Sequence, residues 1–371
     1  MSAGRCRAGV AAAVVVMIGA GCAGATSGEG GRAGSGRGAA WTTPVDWPFS
    51  LAVAGDDAVV TVSRTLVVVL DTVRGRERWR AEVAHVTHYE PALDADTVLV
   101  SADDRFLALD RRTGSLRWEA PVGEHAGGAA LARAGSEPIA LVTTERGQVA
   151  ALDGESGVAR WSVQLPGHID AAPAVDGGAL TGAGAAAVQW HGDEDRLRVL
   201  DLATGATRWE TAVDPGTTAP LIERGQVVLG EGNGNFEARV VARDLTTGAE
   251  RWSVPAPASF ESGVVPGADG DDIAVSDHFG TVTLVDAARG TTRWQTSIRE
   301  PILDTRVLLT ADGVVLQTYG GKIVILDRGS GRIVRRLDPA GFPVGIGLSR
   351  GRLIFAVRLA RPDRVEAERL P

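Results

Sequence analysis

The chain has 371 residues, a formal net charge of -8 and two cysteines. This charge excludes a nucleic-acid-binding surface, which is normally basic, because no run of lysine or arginine offsets it. Both cysteines, Cys6 and Cys22, lie near the start of the chain. The body of the protein therefore has no cysteine for a disulfide, for thiol catalysis or for binding a metal.

Residues 1–21 have the pattern of a secretory signal peptide. Two arginines precede a short apolar run that ends at Ile18 and is too short to cross a bilayer. The segment ends in Gly-Ala-Gly-Cys, which resembles a bacterial lipobox, although Gly19 stands where leucine is usual. The resemblance implies acylation of Cys22, so we expect an extracytoplasmic protein that is lipid-anchored to the cell membrane. Cleavage after Ala25 would instead release a secreted protein.

Residues 22–40 predict a flexible linker, because they are almost entirely glycine, alanine, serine and arginine. We therefore expect the folded domain to span residues 41–371.

One motif recurs through this domain: an aspartate, a glycine four places on, and a tryptophan four places beyond. Successive aspartates are 39 to 48 residues apart, which is the usual length of a four-stranded propeller blade. Each copy follows an apolar run and precedes a short run around the tryptophan, so it predicts two strands joined by a turn. The copies are Asp71-Gly75-Trp79, Asp110-Gly114-Trp118, Asp153-Gly157-Trp161, Asp201-Gly205-Trp209, Asp244-Gly248-Trp252, Asp286-Gly290-Trp294 and Asp327-Gly331-Arg335, the last with arginine in place of tryptophan.

Residues 108–118, ALDRRTGSLRW, resemble the tryptophan-docking motif of the quinoprotein-like β-propellers. That superfamily includes the pyrroloquinoline quinone (PQQ) dehydrogenases and the lipoprotein that assists outer-membrane β-barrel assembly. The resemblance implies that each tryptophan packs on the turn of the neighbouring blade. It predicts the fold strongly and the function weakly. The implied docking residues are Trp41, Trp79, Trp118, Trp161, Trp209, Trp252 and Trp294.

The predicted fold is an all-β, eight-bladed β-propeller. Seven motifs are visible, and the sequence after the seventh can supply three more strands, at Val344–Gly347, Leu353–Arg358 and Val365–Leu370. We expect the strand around Trp41 to complete this last blade and so to remove exposed sheet edges. A seven-bladed propeller, with Trp41 in a leader, is the alternative.

Polar residues are concentrated where the innermost strands should enter the central channel. Because successive strand residues alternate sides, His88 with Glu90, and His168 with Asp170, should each point the same way. Such a ring could bind a cation or a basic peptide, or could simply be a solvated funnel. The candidate residues are His88, Glu90, His125, His168, Asp170, Glu261 and Asp304.

Two long insertions are predicted on the same face, one with Trp190 and one with Phe236. Aromatic side chains on acidic loops are common contact points for partner proteins. The alternative is an ordinary variable loop whose Trp190 folds back onto its blade.

Together these features predict a non-catalytic scaffold that binds an envelope or surface protein and is monomeric. A PQQ- and calcium-dependent dehydrogenase and a small-ligand sensor are the alternatives. The cysteine features common in the dehydrogenases are missing, and no catalytic motif is recognisable. We therefore expect no cofactor, no bound metal and no contact with nucleic acid.

Overall fold

The computed structural model describes residues 40–123, 125–176, 184–214, 219–232, 238–256, 267–277, 279–302 and 307–370. Every regular element in these ranges is a β-strand, and the strands form eight four-stranded antiparallel sheets. The eight-bladed propeller is therefore confirmed, and the seven-bladed alternative is wrong. The predicted signal peptide, Cys22 and the linker up to residue 39 lie outside the described ranges.

Blades one to seven each consist of four consecutive strands. The first strands of neighbouring blades contact one another, so they surround the central axis, and the fourth strands lie at the rim. The first four blades are β2 (Pro48–Ala54), β3 (Asp57–Val62), β4 (Leu66–Asp71), β5 (Glu77–Glu82); β6 (Ala92–Leu93), β7 (Thr97–Ala102), β8 (Arg105–Asp110), β9 (Leu116–Pro121); β10 (Ala126–Ala134), β11 (Glu137–Thr144), β12 (Gln148–Asp153), β13 (Ala159–Gln164); β14 (Ala174–Asp176), β15 (Ala185–Trp190), β16 (Arg196–Asp201), β17 (Thr207–Ala212). The next three are β18 (Leu221–Glu223), β19 (Gln226–Gly232), β20 (Ala238–Asp244), β21 (Glu250–Ala256); β22 (Gly267–Asp269), β23 (Asp272–Ser276), β24 (Thr281–Asp286), β25 (Thr292–Ser297); β26 (Leu308–Leu309), β27 (Gly313–Gln317), β28 (Ile323–Asp327), β29 (Ile333–Leu337).

Blade eight joins the two ends of the chain. Its first three strands are β30 (Phe342–Ser349), β31 (Arg352–Arg358) and β32 (Arg364–Arg369), and its fourth is the first strand of the described residues, β1 (Trp41–Pro44). The pairing runs from Trp41 opposite Ala367 to Pro44 opposite Arg364. The predicted closure by the N-terminal strand is confirmed. Among the described residues, no helix is long and apolar enough to span a membrane.

The hydrophobic core lies between the blades. Eight clusters of buried side chains are found in the described residues, and each draws on two adjacent blades. Val59 packs towards blade two and Val60 towards blade eight, so the second strand of a blade is buried on both faces. This explains why the second and third strands are continuous apolar runs in the sequence.

The turn between the third and fourth strands is built by the repeated aspartate and glycine. In blade three, the Asp153 carboxylate accepts the backbone N–H groups of Glu155 at 3.1 Å and Ser156 at 2.9 Å. The Gly157 N–H then donates to the Asp153 carbonyl at 2.8 Å. Gly157 has a φ of 72°, a left-handed conformation that glycine adopts without steric cost.

The six motif tryptophans and Trp41 each dock on the turn of the next blade. The indole N–H donates to the carbonyl of the residue after the motif aspartate, at 2.7 to 3.1 Å. The ring lies so close to the motif glycine that a Cβ there would be 2.4 to 2.7 Å from ring carbons. The pairs are Trp41 with Gly75, Trp79 with Gly114, Trp118 with Gly157, Trp161 with Gly205, Trp209 with Gly248, Trp252 with Gly290 and Trp294 with Gly331.

The arginine of the seventh motif also has a structural explanation. Arg335 occupies the register position of a docking tryptophan, opposite Ile325. Its neighbour is blade eight, whose third and fourth strands, β32 and β1, are not joined by a turn. Arg335 therefore meets no motif glycine, and instead it donates to Glu368 at 3.0 Å and to the Arg369 carbonyl at 3.0 Å.

Ion pairs reinforce two of the interblade contacts. Asp57, on the second strand of blade one, accepts the Arg111 Nε at 2.7 Å from blade two and lies 3.0 Å from the Arg78 Nε of its own blade. Asp272 of blade six is held in the same way by Arg328 of blade seven, at 2.9 Å. Both aspartates are buried, so the arginines compensate carboxylates that are largely shielded from water.

Candidate functional site

The candidate site lies on one face of the propeller, which we call the entry face. The loops between blades and the loops from second to third strands emerge together on this face, because the strands of each blade alternate in direction. All predicted partner residues within the described ranges are in or beside these loops. Phe236, Glu261 and Asp304 lie outside the described residues.

His88, Glu90 and His125 are exposed on the entry face. His88 and Glu90 are in the loop before β6 rather than on a strand, so the predicted strand alternation of these two residues is wrong. The His88 ring instead stacks on Tyr89, with ring centroids 4.3 Å apart. His125 lies directly before β10, and its carbonyl accepts the Glu145 N–H at 3.1 Å.

His168 and Asp170 lie near a hairpin loop of blade four. His168 and His191 exchange two backbone hydrogen bonds, at 2.7 and 2.8 Å. This bridge brings His191 to Asp170, with the His191 Nε2 3.4 Å from an Asp170 oxygen. The other ring nitrogen, Nδ1, is 3.0 Å from Asp195. One imidazole therefore connects two carboxylates.

This geometry fixes the charge of His191. The hydrogen bond that His191 donates to Asp170, followed by the one that it donates to Asp195, raises the pKa of His191 to about 9, against the opposing effect of burial. The same hydrogen bond lowers the pKa of Asp170. At neutral pH His191 is thus an imidazolium between two carboxylates, and it has no free nitrogen lone pair with which to act as a base.

Tyr89 extends the group towards blade three. Burial raises the pKa of the Tyr89 phenol, and the negative charges of Glu145 and Asp170 and a hydrogen bond to Glu145 raise it further. The phenol therefore stays protonated and can donate a hydrogen bond. We call Tyr89, Glu145, Asp170, His191 and Asp195 the entry-face cluster.

Trp190 requires a correction. It was predicted as a partner contact, but it is only 1% exposed and ends strand β15 in the core between blades three and four. The Arg198 guanidinium covers one side of its ring at 5.1 Å, and a Cβ on Gly167 would lie 2.5 Å from the indole. The alternative prediction, that Trp190 folds back onto its blade, matches this position. The exposed part of the loop is Gly192, Asp193 and Glu194.

The entry-face cluster is suited to binding rather than to proton transfer. Three carboxylates and one imidazolium leave it net negative, and exposed Asp193 adds to the acidity of blades two to four, whereas neighbouring Asp104 and Glu194 are paired with Arg105 and Arg196. Within the described ranges, no three His, Cys, Asp or Glu side chains are arranged to hold a metal ion. This surface would therefore attract a basic or hydrogen-bonding partner.

The opposite face carries a cleft of about 530 Å³ between blades six and seven. Its lining includes Asp272, Arg293 and Arg328, and both arginines are bonded to Asp272. The charges of these three side chains compensate one another, and the group belongs to the contact between blades six and seven.

Sequence reasoning found the loops but not the whole cluster. Glu145 was missed because it follows an apolar strand in an ordinary turn, and only the blade geometry brings it to Tyr89. Asp195 and His191 are four residues apart, a spacing that gives no signal in a loop. The usable clue was the recurrence of polar residues after each second strand.

A family model described as outer membrane protein assembly factor BamB matches residues 24–140, 107–260 and 236–351. The BamB of Burkholderia pseudomallei is 26% identical over 321 residues, covering 81% of this chain and 80% of that protein. Two longer relatives match over less than half of this chain and over a still smaller share of their own length. The serine/threonine-protein kinase AfsK of Streptomyces griseus is 30% identical over 154 residues, 38% of this chain and 18% of the kinase. The dehydrogenase subunit of the quinone alcohol dehydrogenase of Gluconobacter oxydans is 28% identical over 204 residues, 47% of this chain and 26% of the subunit.

Among solved structures, BamB from Moraxella catarrhalis superposes with a TM-score of 0.70. The match covers 90% of this chain and 97% of that one, at 18% sequence identity. Similarity at this identity demonstrates the shared fold alone.

Proposed function

Because the chain belongs to the family of the outer membrane protein assembly factor BamB, we propose that it is a non-catalytic scaffold that binds another protein outside the cytoplasm. The observation that carries this proposal is the entry-face cluster. Its charges and hydrogen bonds are fixed by the fold, while its edges are exposed to solvent. Such preorganised polar groups give specificity to a protein interface.

The protonation states of the cluster support binding over catalysis. A general base needs a pKa near the working pH, whereas His191, with a pKa of about 9, is already protonated at neutral pH. The raised pKa of the Tyr89 phenol likewise keeps it a hydrogen-bond donor. Both groups are suited to recognising a fixed pattern of charge in a partner.

The partner class follows from the acidity of blades two to four and from the relatives. BamB is named for outer membrane protein assembly. We propose that this chain binds an exported or surface protein through a basic or hydrogen-bonding segment. We also propose that it is tethered to the membrane through acylated Cys22, which would leave the propeller free to act as a monomer.

Photo-crosslinking in cells tests the scaffold proposal. A crosslinking amino acid at Asp193, on the exposed loop beside the cluster, should capture a discrete protein. Capture should fall at least tenfold with Asp170→Asn and Glu145→Gln together, because the pattern of charge is lost. Asp96→Asn, a matched change on the opposite face, should leave capture unchanged. Equal capture by all variants would show that the charges of the cluster do not hold the partner, and no capture by the unaltered protein would overturn the proposal.

A PQQ- and calcium-dependent dehydrogenase is the second candidate, favoured by the match to the quinone alcohol dehydrogenase subunit. The described residues do not fit calcium. Calcium prefers six to eight oxygen ligands, but Asp170 and Asp195 are both engaged by the His191 imidazolium. We therefore derive no reaction step through this cofactor.

A further inference from the structure

A second feature of the entry face lies where blades eight and one meet. Trp47 directly precedes β2 and is 46% exposed, and Leu359 directly follows β31 and is 67% exposed. Both have a left-handed backbone, with φ of 49° and 61°. Bulky side chains rarely adopt this conformation, and exposed apolar side chains are informative when they are grouped in a patch, as Trp47 and Leu359 are on either side of Arg358. Two unfavourable features at one place are typical of a functional surface.

Arg358, next to Leu359, lies against two aromatic rings. Its guanidinium carbon is 5.2 Å from the centroid of the Trp47 ring and 6.0 Å from that of Phe49. Arg64 covers the Phe49 ring as well, at 5.7 Å. This arrangement holds the Arg358 side chain in place by stacking and cation–π attraction rather than by an opposite charge.

Arg358 also lacks the polar partners that other arginines of this face have. Arg105 pairs with Asp104 and Glu119, and Arg196 pairs with Glu194 and Glu210. In the part of the chain that the structure describes, no carboxylate or carbonyl accepts a hydrogen bond from Arg358, and its Nε is buried without a partner. A guanidinium in a fixed orientation with free N–H groups is suited to a carboxylate.

Building on the proposed function, we propose that Trp47, Phe49, Arg358 and Leu359 form a docking site for an acidic side chain of the partner protein. The carboxylate would accept hydrogen bonds from the Arg358 guanidinium, and flanking apolar side chains of the same partner segment would cover Trp47 and Leu359. Charge complementarity selects the carboxylate, and the exposed apolar surface selects its neighbours. The partner would then place basic groups against the acidic surface of blades two to four and an acidic side chain against this docking site.

A peptide array with the full-length protein tests this assignment. The probes are N-acetylated, C-amidated nonapeptides with a central glutamate between two varied apolar residues, beside copies with glutamine at the centre. Glutamate peptides should bind at least tenfold more tightly than glutamine peptides in a titration of the best sequence. Arg358→Gln should remove this difference, and Trp47→Ala should weaken binding of both peptides.

Two further variants separate the site from general effects. Arg299→Gln removes the same charge from an exposed, unstacked arginine on the same face, and it should leave the preference for glutamate intact. Arg358→Lys keeps the charge without the planar fork, so it should retain a reduced preference. Thermal unfolding of each variant checks that the fold is kept.

Two results would overturn the inference: no preference for glutamate over glutamine, or an equal loss of that preference with Arg299→Gln. The first of these, together with continued crosslinking at Asp193, would leave the proposed function standing. Failure of the crosslinking itself would count against the scaffold, whatever the array shows.

Discussion

The indole of Trp118 occupies the space into which any side chain at Gly157 would project. A Cβ on Gly157 would lie 2.7 Å from two carbons of that ring, and the Trp118 N–H donates to the carbonyl of neighbouring Gly154 at 2.9 Å. The same relationship joins seven tryptophan–glycine pairs of the ring. The spacing of neighbouring blades is thus set by the contact between the indole of one blade and the glycine of the next, which has no side chain to exclude the ring.

Gly157→Ala should destabilise the fold by about 2 to 4 kcal/mol, because it adds overpacking against Trp118 to the strain of a left-handed alanine. Gly225→Ala is the matched control, since Gly225 has a similar φ of 69° and open space around its Cβ position. Its cost should be about 1 kcal/mol. Urea unfolding compares the two, and equal costs would mean that the indole contact contributes nothing.

Trp118→Ala should cost about 3 to 5 kcal/mol, because it removes a side chain that is only 6% exposed. Arg335→Ala, at the equivalent position of blade seven, should cost only about 1 kcal/mol, since it breaks a partly exposed ion pair. Unfolding curves of both variants test the contrast. A loss below about 1 kcal/mol for Trp118→Ala would rule out a docking role.

Arg111→Gln should destabilise the fold by about 2 to 3 kcal/mol, because it leaves the buried Asp57 carboxylate with a single arginine partner. Adding Asp57→Asn should restore part of this loss, since the buried charge that Arg78 alone compensates only in part is then gone. A double-mutant cycle measures the coupling. Strictly additive losses would show that the ion pair between blades one and two is not coupled.

His191 should titrate with a midpoint of about 9 in an NMR titration of its ring protons. Because this pKa is raised above the unfolded value of about 6.5, the stabilisation is complete below pH 6.5 and is lost as the pH rises through 9. Asp170→Asn should move the midpoint towards 6.5, since the Asp170 hydrogen bond is the main cause of the shift. Asp96→Asn should not move it. An unshifted midpoint in the unaltered protein would contradict the bridged geometry.

Calorimetric titration with PQQ, with and without calcium, should show no saturable binding. The reason is that the imidazolium of His191 already occupies the two carboxylates nearest to it. The titration without calcium is the control. Saturable, calcium-dependent binding would instead favour the dehydrogenase and lead to a screen of alcohols and sugars with a dye acceptor.

The fold was largely predictable because its determinants are local. The spacing of Asp153, Gly157 and Trp161 specifies a turn and a docking ring within nine residues, and its recurrence gives seven of the eight blades. Even the closure by Trp41 was visible, since the sequence around it resembles other fourth strands. The arginine at 335 was not explained, because its cause is the missing turn of the neighbouring blade.

The site was less predictable because its contacts depend on tertiary geometry. His191 and Asp170 are brought together by the backbone bridge between His168 and His191, and no pattern in the sequence predicts that bridge. The sequence predicts Trp190 on a loop because acidic residues follow it, but strand β15 runs to Trp190 and includes it. Trp47 and Arg358 are more than 300 positions apart, and only closure of the ring brings them together.

Strand β1 contacts both blade eight and blade one. Trp41 is paired with Ala367 in blade eight, while its indole N–H donates to Thr72 in blade one and its ring covers Gly75. Tension applied at the start of the domain would therefore act on two blades together. Four residue pairs of the sheet and one docked ring would share the load. The strand that closes the propeller is therefore well placed to bear a tether, because its contacts with blade eight and with blade one both oppose a pull on the start of the domain.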